Sequence, residues 1–120
     1  MGTLPHTGTY SYGDIQNLKW SSTEKTVARK AFDRALQREL DEVMIEAKKR
    51  SEQIQQPSDL WDLERYLTEC RTQIDRQFDY RYSVLIFVFG DLIRRGRLNE
   101  KELQGLTEDK LASIRRYAEP

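Results

Sequence analysis

The side chains that most often carry catalysis are few in this sequence. His6, the only histidine, lies in a segment rich in glycine and proline, so a histidine relay has no scaffold. Cys70, the only cysteine, has no second cysteine with which to form an internal disulfide or a zinc cluster. The sequence contains neither a glycine-rich phosphate loop nor a two-histidine metal helix. These features predict a protein that is not an enzyme and that holds no metal or cofactor.

The charged residues exclude further classes of function. Twenty acidic residues balance 20 basic ones, so no net field attracts nucleic acid or anionic lipid. The carboxylates lie among lysines and arginines, where ion pairs keep a pKa low, whereas a general acid requires a raised pKa. No stretch approaches the roughly 20 apolar residues that span a bilayer, and the N-terminus lacks the order of a signal peptide. We expect no nucleic-acid partner, no transmembrane segment and a cytoplasmic location.

Trp61 and Arg71 are the residue types that anchor protein interfaces. At 100° per residue they share one helix flank with Glu64 and Thr68, beside an apolar seam. On spacing alone, an exposed anchor and the edge of the core are equally good interpretations of Trp61. Cys70 lies in the seam itself, and we interpret it as a small buried hydrophobe and not as a reactive thiol.

Two long helices must position these residues. Ser21 and Glu24 form a capping box, and no glycine or proline follows before Pro57, which predicts a helix to about Ile54. Such a rod is about 45–50 Å long, whereas a compact 120-residue domain has a radius of gyration of about 14 Å. Its apolar stripe therefore overhangs its own domain, which favours a two-fold dimer over a bent helix in a monomeric bundle.

Pro57, Ser58 and Asp59 are expected to end the first helix and to cap the second, which should extend from Leu60 to about Phe78. The second helix has apolar residues at steps of three and four, which form a seam facing the first helix or its symmetry mate. The predicted dimer interface combines residues of both helices: Leu36, Leu40, Val43, Leu60, Leu63 and Leu67.

The most apolar run, residues 83–89, has no polar face and is typical of either a buried strand or a buried helix. No second strand-like run exists to pair with it, so we predict a helix that ends at Gly96 after a basic last turn. Arg94, Arg95 and Arg97 are then a cationic helix end, with a phosphate or nucleic-acid contact as the less favoured alternative. Asn99 and Thr107 are expected to cap two short elements.

The predicted fold is all-α. A flexible N-terminal arm, residues 1–20, precedes a single helical domain, residues 21–120. Within that domain, residues 21–78 form the long dimerisation helices and residues 79–120 form a compact helical head.

Two strings in the chain are long and unusual: DLWDLERYL, residues 59–67, and FDYRYSVLIFVFG, residues 78–90. With these strings and Arg71, the chain resembles the fluorescence recovery proteins of cyanobacteria over about residues 31–110. The resemblance implies an all-helical dimer without pigment. Without it, the sequence indicates only a dimeric helical adaptor or assembly factor.

The resemblance also implies a function in photoprotection. Proteins of this family bind the photoactivated, red form of the orange carotenoid protein, mainly through its C-terminal domain. They promote its detachment from the phycobilisome and accelerate its return to the orange form, which ends non-photochemical quenching. A peripheral location at the thylakoid face, with the phycobilisomes, follows from that role.

Individual residues carry over by position. Trp61 and Arg71 match family residues implicated in activity, Phe87 matches one implicated in contact with the carotenoid protein, and Leu60 lies in the family's dimer seam. The chain departs from some members at three positions. It has Glu64 and Arg65 where those members have a histidine and an aspartate, and it has Ser113 in place of a C-terminal lysine.

Overall fold

The structure is a computed structural model that describes residues 10–120. His6 lies outside the described residues. Within them, five α-helices and one 3-10 turn occur and no strand, which confirms the all-α prediction. The elements are α1 Tyr12–Ile15, α2 Ser22–Glu52, α3 Pro57–Gln77, α4 Leu85–Arg94, the 3-10 turn Glu100–Leu103 and α5 Glu108–Ala118.

The start of α2 follows from its capping box. The Ser21 hydroxyl accepts a hydrogen bond from the backbone N–H of Glu24 at 3.1 Å, and the Glu24 carboxylate accepts one from the N–H of Ser21 at 3.0 Å. The helix contains 31 residues and is therefore about 46 Å long. The radius of gyration of 18.2 Å and the longest dimension of 70 Å confirm an elongated molecule.

Helix α3 begins earlier than predicted, at Pro57 itself. Proline suits the first turn of a helix because its missing N–H would have no intrahelical partner there. Asp59 caps from inside the helix, and its carboxylate accepts hydrogen bonds from the backbone N–H groups of Gln55 and Gln56 at 2.9 and 3.2 Å. Helix α3 then packs against the second half of α2 as a hairpin, which we call the rod.

The head contains the hydrophobic core. Its centre is α4, whose residues Leu85, Ile86, Phe89 and Leu92 have no exposed surface. Around α4 lie α5, the 3-10 turn and the first half of α2, where the last buried residue is Ala35. The predicted division at residue 79 is therefore wrong for α2, because its first half belongs to the head and only its second half belongs to the rod.

The segment predicted as a flexible arm is packed where the structure describes it. Ile15 of α1 is fully buried and Trp20 is 8% exposed. Both side chains join the head core, because their apolar surface is removed from water there. Residues 10–20, which the prediction placed in the flexible arm, are consequently part of the packed head.

The apolar run forms a helix as predicted, although its first residues form a turn and α4 starts at Leu85. Gly96 ends the helical region with a φ of +75°, a conformation that glycine adopts without steric cost. The caps of the two last elements are also confirmed, since the side chains of Asn99 and Thr107 accept hydrogen bonds from the backbone N–H groups of Lys101 and Lys110.

Candidate functional site

The described residues form no constellation suited to metal binding. Within residues 10–120, no group of three or more histidine, cysteine, aspartate or glutamate side chains is placed to hold a metal ion. In the same range, no helix combines the length and apolar character that crossing a bilayer requires. The sequence-predicted site residues lie on exposed or partly exposed surfaces, and the ion pairs described next fix the positions of the helices that carry them.

Three arginines that form a basic cluster in the sequence are engaged by carboxylates. Arg95 and Arg97 both donate to Glu39 of α2 at 2.8 Å, and Arg97 also donates to Glu42 at 2.9 Å. Arg94 pairs with Asp91 on its own helix. These contacts join the end of α4 to the middle of α2, and they favour the helix-end interpretation of the cluster over a phosphate site.

A second ion pair joins the head to the start of the rod. Arg38 of α2 donates two hydrogen bonds to the carboxylate of Glu102, at 2.6 and 2.9 Å, and one to the carbonyl oxygen of Arg97 at 2.9 Å. The Arg38 guanidinium, with a backbone hydrogen bond from Asn99, lowers the pKa of Glu102 to about 2. The forked geometry makes this a charge-assisted pair of the stronger kind.

We expect this pair to make the fold sensitive to acid. A carboxyl group with a lowered pKa stabilises the fold above its unfolded value of about 4.3, and this contribution disappears as the pH falls towards about 2. Arg38→Met should lower the free energy of unfolding at pH 7 by about 1–2 kcal/mol and flatten its decline between pH 5 and pH 2. Urea unfolding across this range measures both effects.

Arg65→Met is the matched control for this prediction, because the Arg65–Asp62 pair on α3 is more than half exposed. Its removal should leave the acid dependence unchanged. An Arg38→Met protein that retains the full acid slope would contradict the assignment of that slope to Glu102.

A buried ion pair joins the N-terminal part of the head to its C-terminal part. Glu24 and Lys110 are 5% and 3% exposed, and Lys110 Nζ lies 3.1 Å from the Glu24 carboxylate. Burial alone would raise the pKa of Glu24, but hydrogen bonds from the backbone of Ser21 and Thr107 and from Lys110 together lower it. Lys110 Nζ also donates to the carbonyl oxygen of Lys19 at 2.8 Å. The pair thus connects α2, α5 and the N-terminal segment.

Phe87 lies on the head surface, half-buried, among aromatic rings. Its centroid is 4.6 Å from that of Tyr117 on α5 and 5.2 Å from that of Tyr12 on α1. Gly90 permits the approach of α5, because a Cβ there would lie 2.8 Å from the Cβ of Tyr117. We call Tyr12, Phe87 and Tyr117 the aromatic patch. Within this patch the Phe87 side chain is partly exposed and is not enclosed in the core.

Trp61 and Arg71 lie on the rod and not near Phe87. Trp61 is 64% exposed, and Arg71 is also exposed and makes no ion pair with any described residue. Trp61 stands 16 positions before the end of α3 at Gln77, a distance of about 24 Å along the helix. The sequence-predicted site residues therefore form two surfaces at opposite parts of the protomer.

Five of the six residues of the predicted dimer interface form an incompletely covered apolar face on the rod. Leu40, Leu60 and Leu67 are 39%, 49% and 40% exposed, whereas Val43 and Leu63 are half-buried. The sixth, Leu36, is half-buried against the head core and not on the rod. Met44, which is exposed and about 40° from Leu40 on the helical wheel, enlarges this face on α2, and no residue of α3 is fully buried. A monomer leaves this apolar surface in water.

Cys70 is half-buried in the groove between α2 and α3, beside Tyr66. Burial and a hydrogen bond with the Cys70 thiol raise the pKa of Tyr66 to about 12. The Arg50 guanidinium lies 4.1 Å from the centroid of the Tyr66 ring, a stacking contact that stabilises the hairpin.

The three positions at which the chain departs from some relatives have local contacts. Glu64 accepts a hydrogen bond from the Thr68 hydroxyl at 2.8 Å. Arg65 pairs with Asp62 on the rod surface. Ser113 is fully buried, and its hydroxyl accepts a hydrogen bond from the backbone N–H of Tyr10 at 2.9 Å.

Sequence reasoning missed two parts of this arrangement. The capping box identified Glu24, but its partner Lys110 is 86 positions away in the chain, and no local pattern connects the two. The contribution of Tyr12 to the aromatic patch was also missed. The available signal that this segment is packed was its content of aromatic and apolar residues, Tyr10, Tyr12, Ile15, Leu18 and Trp20, all of which except Tyr12 pack in or against the head core.

A helical head with an aromatic patch, joined by ion pairs to a rod with an uncovered apolar face, defines the class: an all-helical protein built for protein–protein contacts. Residues 20–118 match the family model described as "Photoprotection regulator fluorescence recovery protein". The chain belongs to the fluorescence recovery protein family, a family of photoprotection regulators.

Relatives of known sequence and structure support this assignment. The chain is 39% identical over 99 residues to the fluorescence recovery protein of Synechocystis sp., a match that covers 82% of this chain and 91% of the relative. It is also similar to the solved fluorescence recovery proteins of Fremyella diplosiphon and Synechocystis sp., with identities of 40% and 39% and a TM-score of 0.79 for each. Each structural match covers 83% of this chain and 98% of the solved chain.

Proposed function

We propose that this chain binds the photoactivated, red form of the orange carotenoid protein, mainly through that protein's C-terminal domain. Binding promotes its detachment from the phycobilisome and accelerates its return to the orange form. The chain acts as a homodimer without a pigment, in the cytoplasm at the thylakoid face. The observation that carries this proposal is the family match over residues 20–118, together with an accessible Phe87 on the head.

The chemistry of the two surfaces supports a regulator that works by binding. Aromatic residues and arginine supply most of the binding energy at protein interfaces, and the chain exposes such residues on both the head and the rod. A protein that accelerates a conformational change in its partner by binding does not have to break or form a covalent bond. It must bind the transition state for closure more tightly than the open state.

The separation of the two surfaces suggests a division of roles. Along α3, Trp61 lies about 24 Å and Arg71 about 9 Å from the end of the helix at Gln77, and the exposed Leu60 and Leu67 lie on the same helix. We assign these rod residues to the maintenance of the dimer and of the face it presents. Phe87 and its aromatic neighbours on the head hold the carotenoid protein.

Binding to the separate parts of the carotenoid protein tests the proposal. Titration should show association with the photoactivated protein and with its isolated C-terminal domain, and at least tenfold weaker association with its isolated N-terminal domain. If the chain associates with neither the photoactivated carotenoid protein nor either of its isolated domains, the proposal is contradicted. The remaining interpretation is then a helical adaptor for another partner.

Phe87→Ala should weaken binding to the photoactivated carotenoid protein by about tenfold, because a large aromatic side chain at the centre of an interface contributes about 1–2 kcal/mol or more. The change also removes core contacts of α4, so it should lower the free energy of unfolding. Ile93→Ala is the matched control, since Ile93 is half-buried on the same helix and packs on the same core. Equal loss of binding in the two variants would show that Phe87 acts through folding alone.

A further inference from the structure

We propose that Tyr12 extends the partner-binding surface around Phe87, so that the N-terminal segment of residues 10–20 is a fixed part of the head and not a flexible arm. The inference rests on the proposed function, because it takes the carotenoid protein as the molecule that the aromatic patch contacts. It goes further in assigning a binding role to a segment that precedes the matched region.

The segment is anchored to the head at both of its ends. Ile15 is fully buried in the head core and Trp20 nearly so. The backbone N–H of Tyr10 donates to the buried Ser113 hydroxyl, and the carbonyl oxygen of Lys19 accepts from the buried Lys110 ammonium. Contacts to buried groups at both ends hold the segment, so its position does not depend on a partner.

Tyr12 is exposed on the surface of this anchored segment. Its side chain is 64% exposed although the residues around it in the chain are anchored. Its ring lies against Phe87, which in turn contacts Tyr117, so three separate chain segments place aromatic rings at one site on the surface. An exposed tyrosine contributes little to the stability of its own fold, whereas rigid aromatic area of this kind is concentrated at interfaces.

Almost all of the segment lies outside the region that matches the family. The family match begins at residue 20, and the match to each solved relative already covers 98% of that relative's chain. The segment before Trp20 therefore lies outside the region that matches the family model. Because the proposed function rests on that matched region, we expect Tyr12 to tune affinity and not to create binding.

The opposite role for Tyr12 gives an opposite result. A ring that lies on Phe87 would shield Phe87 if the segment moved away on binding. Its removal would then strengthen binding. The buried anchors at Ile15 and at both ends of the segment favour the first role, because displacing them exposes core residues to water.

The experiment uses the full chain and titrates three variants against the photoactivated carotenoid protein. Tyr12→Ala should weaken binding about fivefold, and Tyr12→Phe should retain the affinity of the unmodified chain because it keeps the ring. Gly13→Ala is the matched control, since a Cβ at Gly13 meets no atom within 4 Å. The thermal unfolding midpoint and the mass in solution should be the same for all variants, which separates contact from folding.

Each outcome decides between these roles. Weaker binding by Tyr12→Ala alone supports the proposal, and a loss smaller than additive in the Tyr12→Ala/Phe87→Ala double variant places both rings at one contact. Unchanged affinity of the Tyr12→Ala variant overturns the proposal. Tighter binding by this variant also overturns the proposal and shows that Tyr12 shields Phe87. If the unmodified chain does not bind the carotenoid protein, the proposed function itself fails, and that result is distinct from an inert Tyr12 in a chain that binds.

Discussion

Lys110→Met is expected to lower the free energy of unfolding by about 3–5 kcal/mol, because it leaves the Glu24 carboxylate buried without its counter-charge. Glu24 is only 5% exposed and has no water shell to replace the lost ammonium group. The change also removes the hydrogen bond to the carbonyl oxygen of Lys19. Urea unfolding at one fixed protomer concentration measures the loss, since the proposed dimerisation would make stability depend on concentration.

Two further variants separate charge from packing. Glu24→Gln combined with Lys110→Met should recover part of the loss, because glutamine buries no charge. The recovery should be incomplete, since the single carbonyl oxygen of glutamine can accept from only one of the two backbone N–H groups, those of Ser21 and Thr107, that donate to the Glu24 carboxylate. Arg115→Met, which breaks half-exposed pairs with Glu100 and Glu108, should cost less than about 1 kcal/mol. A Lys110→Met protein no less stable than Arg115→Met would contradict the role of the buried pair.

Leu60→Glu is expected to convert the proposed dimer into a folded protomer. A carboxylate at the centre of an apolar interface loses its hydration without gaining a partner, which costs several kcal/mol and raises the dimer dissociation constant by at least about a hundredfold. Leu60 is 49% exposed within the protomer, so the helix content should not change. Light scattering during size-exclusion chromatography measures the mass.

Gln73→Glu is the control for the dimer prediction. Gln73 is exposed on α3 and points about 140° away from Leu60 and about 120° away from Trp61 on the helical wheel, so the same added charge should leave the dimer intact there. A dimer mass that is unchanged by Leu60→Glu would place the interface elsewhere on the molecule.

Local chemistry made several of the helix ends predictable. The Ser21–Glu24 capping box, the Thr107 cap and the left-handed Gly96 each act over a few residues, and propensities at that range are visible in a sequence. The long uninterrupted α2 also follows from composition alone.

The assignment of apolar faces to their partners was not predictable in the same way. The stripe of α2 has one period throughout, yet Ala35 faces the head core whereas Leu40 is partly exposed on the rod. Periodicity indicates which residues share a face and not what covers it. The Glu24–Lys110 pair and the Tyr12–Phe87 contact are long-range in sequence, and only the tertiary fold brings their members together.

The dark recovery of the photoactivated orange carotenoid protein tests the central claim most directly. The absorbance change from red to orange is timed in the dark, with and without this protein, at one temperature. A regulator that binds the transition state for closure should increase the rate by about tenfold or more, which corresponds to about 1.4 kcal/mol of the barrier. A recovery rate that is the same with and without the protein would contradict the account.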